Sequence, residues 1–598
     1  MSTTTLDLAE LAARPLHPDV ASELDRYEST VAEYLRGDID EDTFRVFRLN
    51  NGVYGQRQGG HNQMVRVKIP YGKVTAEQLE VLAHISEHHS RGWGHLTTRQ
   101  NVQFHFVQLE TSGEVLRLLA ACGLTSREAC GDTGRNVVGC HLAGACPPEV
   151  LDISPWAEAA TRLFLRSPYA QRLPRKFKIN FSGCATDCGQ AMFNDVGVVA
   201  VTRPLPDGTV EAGFRVFIAG GLGATPHPAQ ALEEFTSRED LMPTIEACLR
   251  TFDHYGNRDN KLRARMKWLV DTMGIDDLRA RIVKERKFLR AAWGWPGGIP
   301  DIVTGTGDAP AGLGGGPITN APGAVPVRLL ASDPFERWVE ANVVRGVANN
   351  TVSAYAYCDL GDITTEQFRG LAAIQRDFAA DVRVTNRQNL VFRDLTEGDL
   401  RGLYERLDEL SMAKPGAELA RDVVACPGAD TCNLAVTQSR GLASAIGTAL
   451  DDAGLAEVGG VRVNISGCTN SCGQHHISDI GFFGFERRAH GRSAPGYQML
   501  LGGRLGEMQV EFGDKATKVP AKAAAQAVVR VVGRYSDERD AGETFSTWLE
   551  RAGGAEKVGV ELKDLDVFPN PDEDPDFYVD FGETGPYVKM VGDSECAT

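Results

Sequence analysis

Two close pairs of cysteines carry the most specific chemistry in this chain. Cys426 and Cys432 lie in RDVVACPGADTC with five residues between them, and Cys468 and Cys472 lie in VNISGCTNSC with three. Four thiolates delivered as two pairs from separate segments can enclose a cubane [4Fe–4S] cluster. Zinc takes the same number of ligands, but its paired ligands usually have roughly two to four residues between them, so the wider pair suits it less well. Ordinary buried thiols are the third reading. Pro427, Gly428, Gly467 and Gly473 flank the pairs, and such residues would let backbone approach a bulky inorganic core.

The elements that must position these thiols occur twice. MVRVKI (64–69) alternates like a strand, and a helix is predicted from Thr75, with Gln78 completing a capping box and Leu79, Leu82, Ala83 and Ile85 at helical spacing. HLTTRQNVQFHFV reads as strand, with helices predicted near 113–122 and 155–166, and a charge-rich helical run covers 240–290. Beyond the Gly/Pro-rich stretch 296–326, read as a linker, the pattern recurs. RVTNRQNLVF matches HLTTRQNVQF, so Arg387 stands where Arg99 stood. ARDVVACPGADTC matches GRNVVGCHLAGAC, and VNISGCTNSCGQ matches INFSGCATDCGQ. Thr364 and Gln367 repeat the capping box. One mixed α/β unit, present in two copies, is the economical reading.

The composition bounds the rest. A chain of 598 residues is too long for one core. No apolar run is long enough to span a bilayer, and the N-terminus shows no secretory pattern. Of thirteen cysteines, eight fall into the paired motifs, which suits metal ligation in a reducing, cytoplasmic setting better than a disulfide framework. A net charge of −17 argues against nucleic-acid or anionic-membrane binding. An acidic substrate would need a local basic pocket.

ACPGADTC followed by NISGCTNSCGQ resembles the paired signature of the sirohaem nitrite/sulfite reductases, and the resemblance runs from about residue 45 to about residue 560. It implies an α+β fold of two pseudo-symmetric halves, each with a ferredoxin-like part and a sirohaem/cluster-binding part. The implied division is a leader (1–45), a ferredoxin-like half-domain (46–125), a sirohaem/cluster-type domain (126–295), the linker (296–326), a second half-domain (327–415), the [4Fe–4S]/sirohaem domain (416–560) and an acidic tail (561–598). The cluster would be held by Cys426, Cys432, Cys468 and Cys472, with Cys472 bridging to sirohaem. Arg66, Arg135, Lys176 and Lys178 match the family's anion-binding cations, although each alone reads as a surface charge. Arg99, Gln103 and His105 match the sirohaem-contacting strand. Gly220, Gly221, Gly502 and Gly503 would allow backbone close to the macrocycle; as nucleotide loops they are poor. The implied reaction is reduction of sulfite or nitrite, fed by a separate donor, ferredoxin or a flavoprotein. Docking acidic ferredoxin would require a local basic patch. KFK at 176–178 resembles the sulfite branch, while NSCGQ and the following DIG look more like the nitrite branch. A two-cluster electron-transfer protein without sirohaem is the alternative of another class.

The first half keeps its own quartet, Cys140, Cys146, Cys184 and Cys188, which many members of the family have lost; it would hold a second cluster. In the pocket that the repeat places opposite it, Arg421 and Arg462 stand for Arg135 and Lys178. Tyr355, Gly460, Val391 and Arg393 replace Arg66, Lys176, Gln103 and His105. His84, His88 and His89 read as surface histidines. The tail reads as disordered, and Cys596 within it as an incidental thiol or a nucleophile.

Overall fold

Both predicted capping boxes form. The Thr75 hydroxyl accepts from the Gln78 N–H at 3.2 Å, and the Gln78 carbonyl oxygen accepts from the Thr75 N–H at 3.0 Å, opening the helix Ala76–His88. Thr364 and Gln367 do the same for Thr365–Phe378, and the two helices pack against each other. The computed structural model describes residues 7–293, 328–346 and 351–592. Residues 296–326, read as a linker, and Cys596 lie outside them.

The strand just before each capped helix pairs with the other copy. One sheet runs Val53–Gly55, Asn62–Val67, Val102–Gln108, Trp93–Leu96, and is closed by Asp362–Thr364 from the second copy. Its counterpart runs Val343–Arg345, Val352–Ala356, Leu390–Leu395, Asp381–Val384, and is closed by Lys73–Val74 from the first. The exchange covers an edge on each sheet and fuses the ferredoxin-like parts around one core, where Val65, Leu82 and Phe104 share a cluster with Phe368, Leu371 and Phe392. The leader joins that core. Tyr27, on the helix Pro18–Arg36, is buried and hydrogen-bonds the Ser112 hydroxyl at 2.8 Å.

Each remaining part is built on a mixed sheet whose parallel strands carry the cysteines. Val138–Gly139 and Ile179–Ser182 pair in parallel, as do Val424–Ala425 and Val463–Ser466. Parallel strands end on the same side of a sheet. Cys140 and Cys426 directly follow their strands, and Cys184 and Cys468 follow after one glycine, so both loops of each quartet emerge together. Separate cores lie behind the two sheets, one including Phe181, Val198 and Phe252, the other Ile465, Phe482 and Trp548.

The tail departs from expectation. As far as residue 592 it is ordered, because it carries buried aromatic anchors, Phe568, Tyr578 and Tyr587, among its acidic residues. It straps the loop after Cys432: the Tyr587 hydroxyl donates to the Val436 carbonyl at 3.0 Å, Asp580 accepts from the Gln438 N–H at 3.0 Å, and the Gly592 N–H donates to the Asn433 carbonyl at 2.9 Å. Tyr587→Phe removes one such bond, worth about 1 kcal/mol. Calorimetry of the holoprotein should show the strapped part melting roughly 2 °C lower.

Candidate active site

The second-half thiols gather where the strand ends place them. Burial first, and then the charges of Cys472, Cys426 and Cys432, raise the Cys468 thiol; Cys426 is likewise raised by burial and by Cys472. Cys426, Cys432 and Cys468 are partly covered and Cys472 is exposed. Among the described residues no three His, Cys, Asp or Glu side chains converge on a single-ion site. The loop geometry is strained at matched positions, with Ser471 at φ 57° and Gln474 at φ 62°, and Asp187 and Gln190 repeating this in the first half. Left-handed backbone at non-glycine residues costs on the order of 1 kcal/mol each, and it is held here by the loop's own bonds, such as the Gly473 N–H to the Ser466 hydroxyl at 3.0 Å.

The flanking glycines lie close to neighbouring backbone. A Cβ on Gly473 would lie 2.0 Å from the Ile465 carbonyl oxygen, and one on Gly467 would lie 2.7 Å from that of Thr437. The glycines matched to the macrocycle also lie close to protein. Gly220 packs on the backbone of Phe193 and Asn194, and Gly503 on that of His476 and Ser478, while Gly502 takes a left-handed φ of 84°. Gly221 alone of the four borders cations: its Cβ would meet Arg265 and Lys267 side-chain atoms at 3.1 Å.

Loops of one half reach into the other. The Thr98 hydroxyl donates to the Cys472 carbonyl at 3.0 Å, and Arg57 donates to the Cys432 carbonyl at 3.1 Å. Thr98 thereby brings its neighbour Arg99 to the second-half quartet. Arg99 is half-buried among neutral acceptors, donating to Asn180 at 2.9 Å, Asn194 at 3.3 Å and the Asn136 carbonyl at 2.8 Å. Burial, then Arg135, with Arg265 and Arg66 adding to them against Asp195, pushes its guanidinium down to about 9. Arg66 and Arg135 both donate to the Ala129 carbonyl, at 3.1 and 2.9 Å. With its amide oxygen turned toward Arg66, Gln103 accepts from Nε at 3.0 Å and from Nη2 at 2.6 Å. Lys176 and Lys178 flank Phe177 just ahead of the strand Ile179–Ser182 rather than within it. Burial, then Arg99, Arg265 and Lys176, holds the Lys178 ammonium well below the ordinary lysine range. Arg66, Arg99, Arg135, Lys176 and Lys178 therefore form one cationic cluster.

His105 is buried on the neighbouring strand against Trp93, with ring centroids 5.7 Å apart, and neither ring nitrogen has a partner. Burial, then His95, holds it well below its usual range, so the ring is neutral. His84, His88 and His89 lie close together, with the His84 and His88 rings 4.3 Å apart. Sequence reasoning missed Arg265 and Lys267. Arg265 pairs with buried Asp195 at 2.9 Å, and Lys267, at about 8 through burial and then Arg265, donates to the Leu222 carbonyl at 3.2 Å. Their i, i+2 spacing fits no helix-surface pattern; that mismatch, within a run read as helical, was the signal. On the cluster side, a cavity of about 580 Å³ is bordered by Thr469, His475, His476, Phe483 and Phe512, with His476 bonded to the Gly223 carbonyl at 3.0 Å.

A depressed lysine couples anion binding to protons. An anion restores the charged form of Lys178, so binding takes up a proton at any pH between the free and the bound pKa. Nitrite, which does not itself titrate near neutrality, should bind more weakly as pH rises through that window, its Kd increasing by up to about tenfold per unit. Lys178→Met should flatten the profile; calorimetric titration in buffers of different ionisation enthalpy reads the proton directly.

Two family models match this chain: the nitrite and sulphite reductase 4Fe-4S domain over residues 130–288 and 416–560, and the nitrite/sulfite reductase ferredoxin-like half domain over 54–122 and 350–410. The chain belongs to the nitrite and sulfite reductase family, a family of oxidoreductases that carry an iron–sulfur cluster. It is 28% identical over 553 residues to an assimilatory ferredoxin-dependent nitrite reductase of Haloferax mediterranei, covering 89% of each chain. It is 29% identical over 553 residues to a sulfite reductase [ferredoxin] of Mycobacterium tuberculosis, covering 88% of this chain and 92% of that one. The solved structure of the Mycobacterium tuberculosis NirA protein aligns with a TM-score of 0.71 at 27% identity, over 91% of this chain and 98% of that one. Among the described residues no helix is long and apolar enough to cross a membrane.

Proposed function

We propose that this enzyme reduces sulfite to sulfide in the cytoplasm at a coupled sirohaem–[4Fe–4S] centre, with the cluster on Cys426, Cys432, Cys468 and Cys472. The observation that carries this reading is the half-buried cationic cluster joined through Thr98 to Cys472. The unpartnered atoms support the macrocycle. His105 has two orphaned nitrogens, and the Nε atom of Arg99 is also buried without a partner. Buried polar groups ordinarily find one, and a polycarboxylate ligand fits a site lined by such donors. The exposure of Cys472 leaves its sulfur accessible to a second group.

When bound, the coupled centre supplies low-potential electrons one at a time and an iron for the central atom of the anion. The chain supplies the rest. Arg66, Arg135, Lys176 and Lys178 hold the oxyanion in a site from which water is excluded, where fixed charges act strongly. Hydrogensulfite, six electrons and six protons give hydrosulfide and three waters, so each departing oxygen must be protonated. A lysine whose pKa is lowered by burial and cationic neighbours is suited to give protons at neutral pH. A one-electron donor protein, a ferredoxin or a flavoprotein, feeds the centre.

Nitrite reduction to ammonia is the second reading, favoured by the names of the relatives from Haloferax mediterranei and Synechococcus elongatus. Anaerobically purified protein should show the Soret and long-wave bands of sirohaem, and with reduced ferredoxin its kcat/KM should be higher for sulfite. A higher value for nitrite would reverse the substrate; absence of the macrocycle bands would return the chain to electron transfer.

A further inference from the structure

The first-half quartet sits at the matching strand ends, in a site whose cations are paired with carboxylates. Its members lie in neighbouring pairs, Cys146 beside Cys184 and Cys188 beside Cys140. Cys140, Cys146 and Cys184 are buried, unlike the more open second-half set. The pseudo-symmetry is retained in detail. The Asn386 amide donates to the Cys188 carbonyl at 2.5 Å, as Thr98, its counterpart in the repeat, donates to that of Cys472. Second-half residues face this quartet: Arg393 donates at 3.4 Å to the carbonyl of His141, the residue after Cys140.

Around it, the cations that survive the repeat are neutralised from within. Arg387, the counterpart of Arg99, pairs with Glu418 at 3.3 Å and Asp422 at 3.4 Å. Asp422 occupies the position of Asn136, so a carboxylate stands where the first copy has a neutral amide. Arg462 pairs with Glu418 at 2.9 Å, and Arg421 with Asp451 at 3.0 Å and Asp359 at 3.5 Å. Tyr355 fills the place of Arg66, with its hydroxyl 2.8 Å from His141 Nε2. With its positive charge satisfied and its thiols enclosed, the pocket offers a polyanionic macrocycle neither counter-charge nor entry. The two cysteine loops touch, because the Gln190 amide, two residues beyond Cys188, donates at 2.8 Å to that of Gln474, two residues beyond Cys472.

We propose that Cys140, Cys146, Cys184 and Cys188 bind a second [4Fe–4S] cluster, without sirohaem, as a one-electron relay across the Gln190–Gln474 contact. In each transfer the first-half cluster, reduced by one electron from an external carrier protein, is oxidised as the second-half cluster is reduced; no atoms move.

The test is composition of the anaerobically purified holoprotein. About eight non-haem irons and eight acid-labile sulfides per chain are expected, with at most one sirohaem. The dithionite-reduced protein should show magnetic coupling between two clusters by electron paramagnetic resonance. Cys184→Ser/Cys188→Ser should halve the non-haem iron and abolish the coupling while the sirohaem bands persist. About four irons in the wild type, with the first-half cysteines recovered as free thiols or as disulfides by alkylation and mass mapping, would overturn the proposal. The wild-type count decides even if the double variant does not accumulate. Two sirohaems per chain would also overturn it, whereas eight irons with no sirohaem would support this site and remove the function proposed above.

Discussion

Cys472→Ser is expected to lower turnover of sulfite or nitrite by at least roughly a thousandfold, equivalent to about 4 kcal/mol in the barrier. The residue closes the second pair, is the exposed member of its quartet, and has its carbonyl fixed by Thr98. A serine hydroxyl is a far poorer ligand than thiolate for cluster iron, so on the function proposed above the variant should lose both a cluster ligand and the sulfur that would bridge to the macrocycle. Activity alone would not separate that from misfolding. The visible and paramagnetic spectra of the anaerobic variant should therefore show uncoupled or depleted centres, with the calorimetric transition of the ferredoxin-like core retained. Normal turnover with an unchanged spectrum would sink the bridging role.

The parts of this site that the sequence made legible are those set by local pattern. Two capping boxes, two quartets at matched spacings and the R-Q-N repeat at Arg99 and Arg387 each follow from residues a few positions apart. The exchanged strands Lys73–Val74 and Asp362–Thr364 were not visible, because two or three residues carry no period and their partners lie in the other copy. Glycines beside cysteines invite a metal-centred explanation, yet a Cβ on Gly473 would also strike the strand residue Ile465, and one on Gly467 the loop residue Thr437. The tail was misread because its net acidity outweighed three anchoring aromatics, Phe568, Tyr578 and Tyr587. Charge balance was the least legible property. Counting cations made the first-half cluster and its mirror differ by degree. The structure makes them differ in kind, since Arg99 meets amides and a carbonyl where Arg387 meets carboxylates.

That imbalance makes Lys178 the residue on which substrate choice is expected to turn. Its ammonium is held in a half-buried site beside Arg99, Arg265 and Lys176, an arrangement that is unfavourable until an anion arrives and that rewards the anion carrying more charge. Sulfite is a pyramidal dianion with three oxygens, whereas nitrite is a bent monoanion with two, so an additional desolvated ammonium favours sulfite. A hydrogen bond to a charged group is worth roughly 1.5–3 kcal/mol. Lys178→Asn should therefore shift the ratio of kcat/KM for sulfite over nitrite toward nitrite by about ten- to a hundredfold. Asparagine keeps a donor of shorter reach and removes a like charge from Arg99, so the variant should fold and retain its sirohaem bands. Steady-state kinetics on both anions with the same reduced donor gives the ratio directly. If the two rates fall equally, Lys178 serves binding or proton delivery in general, and discrimination must come from Arg66, Arg135 or Lys176.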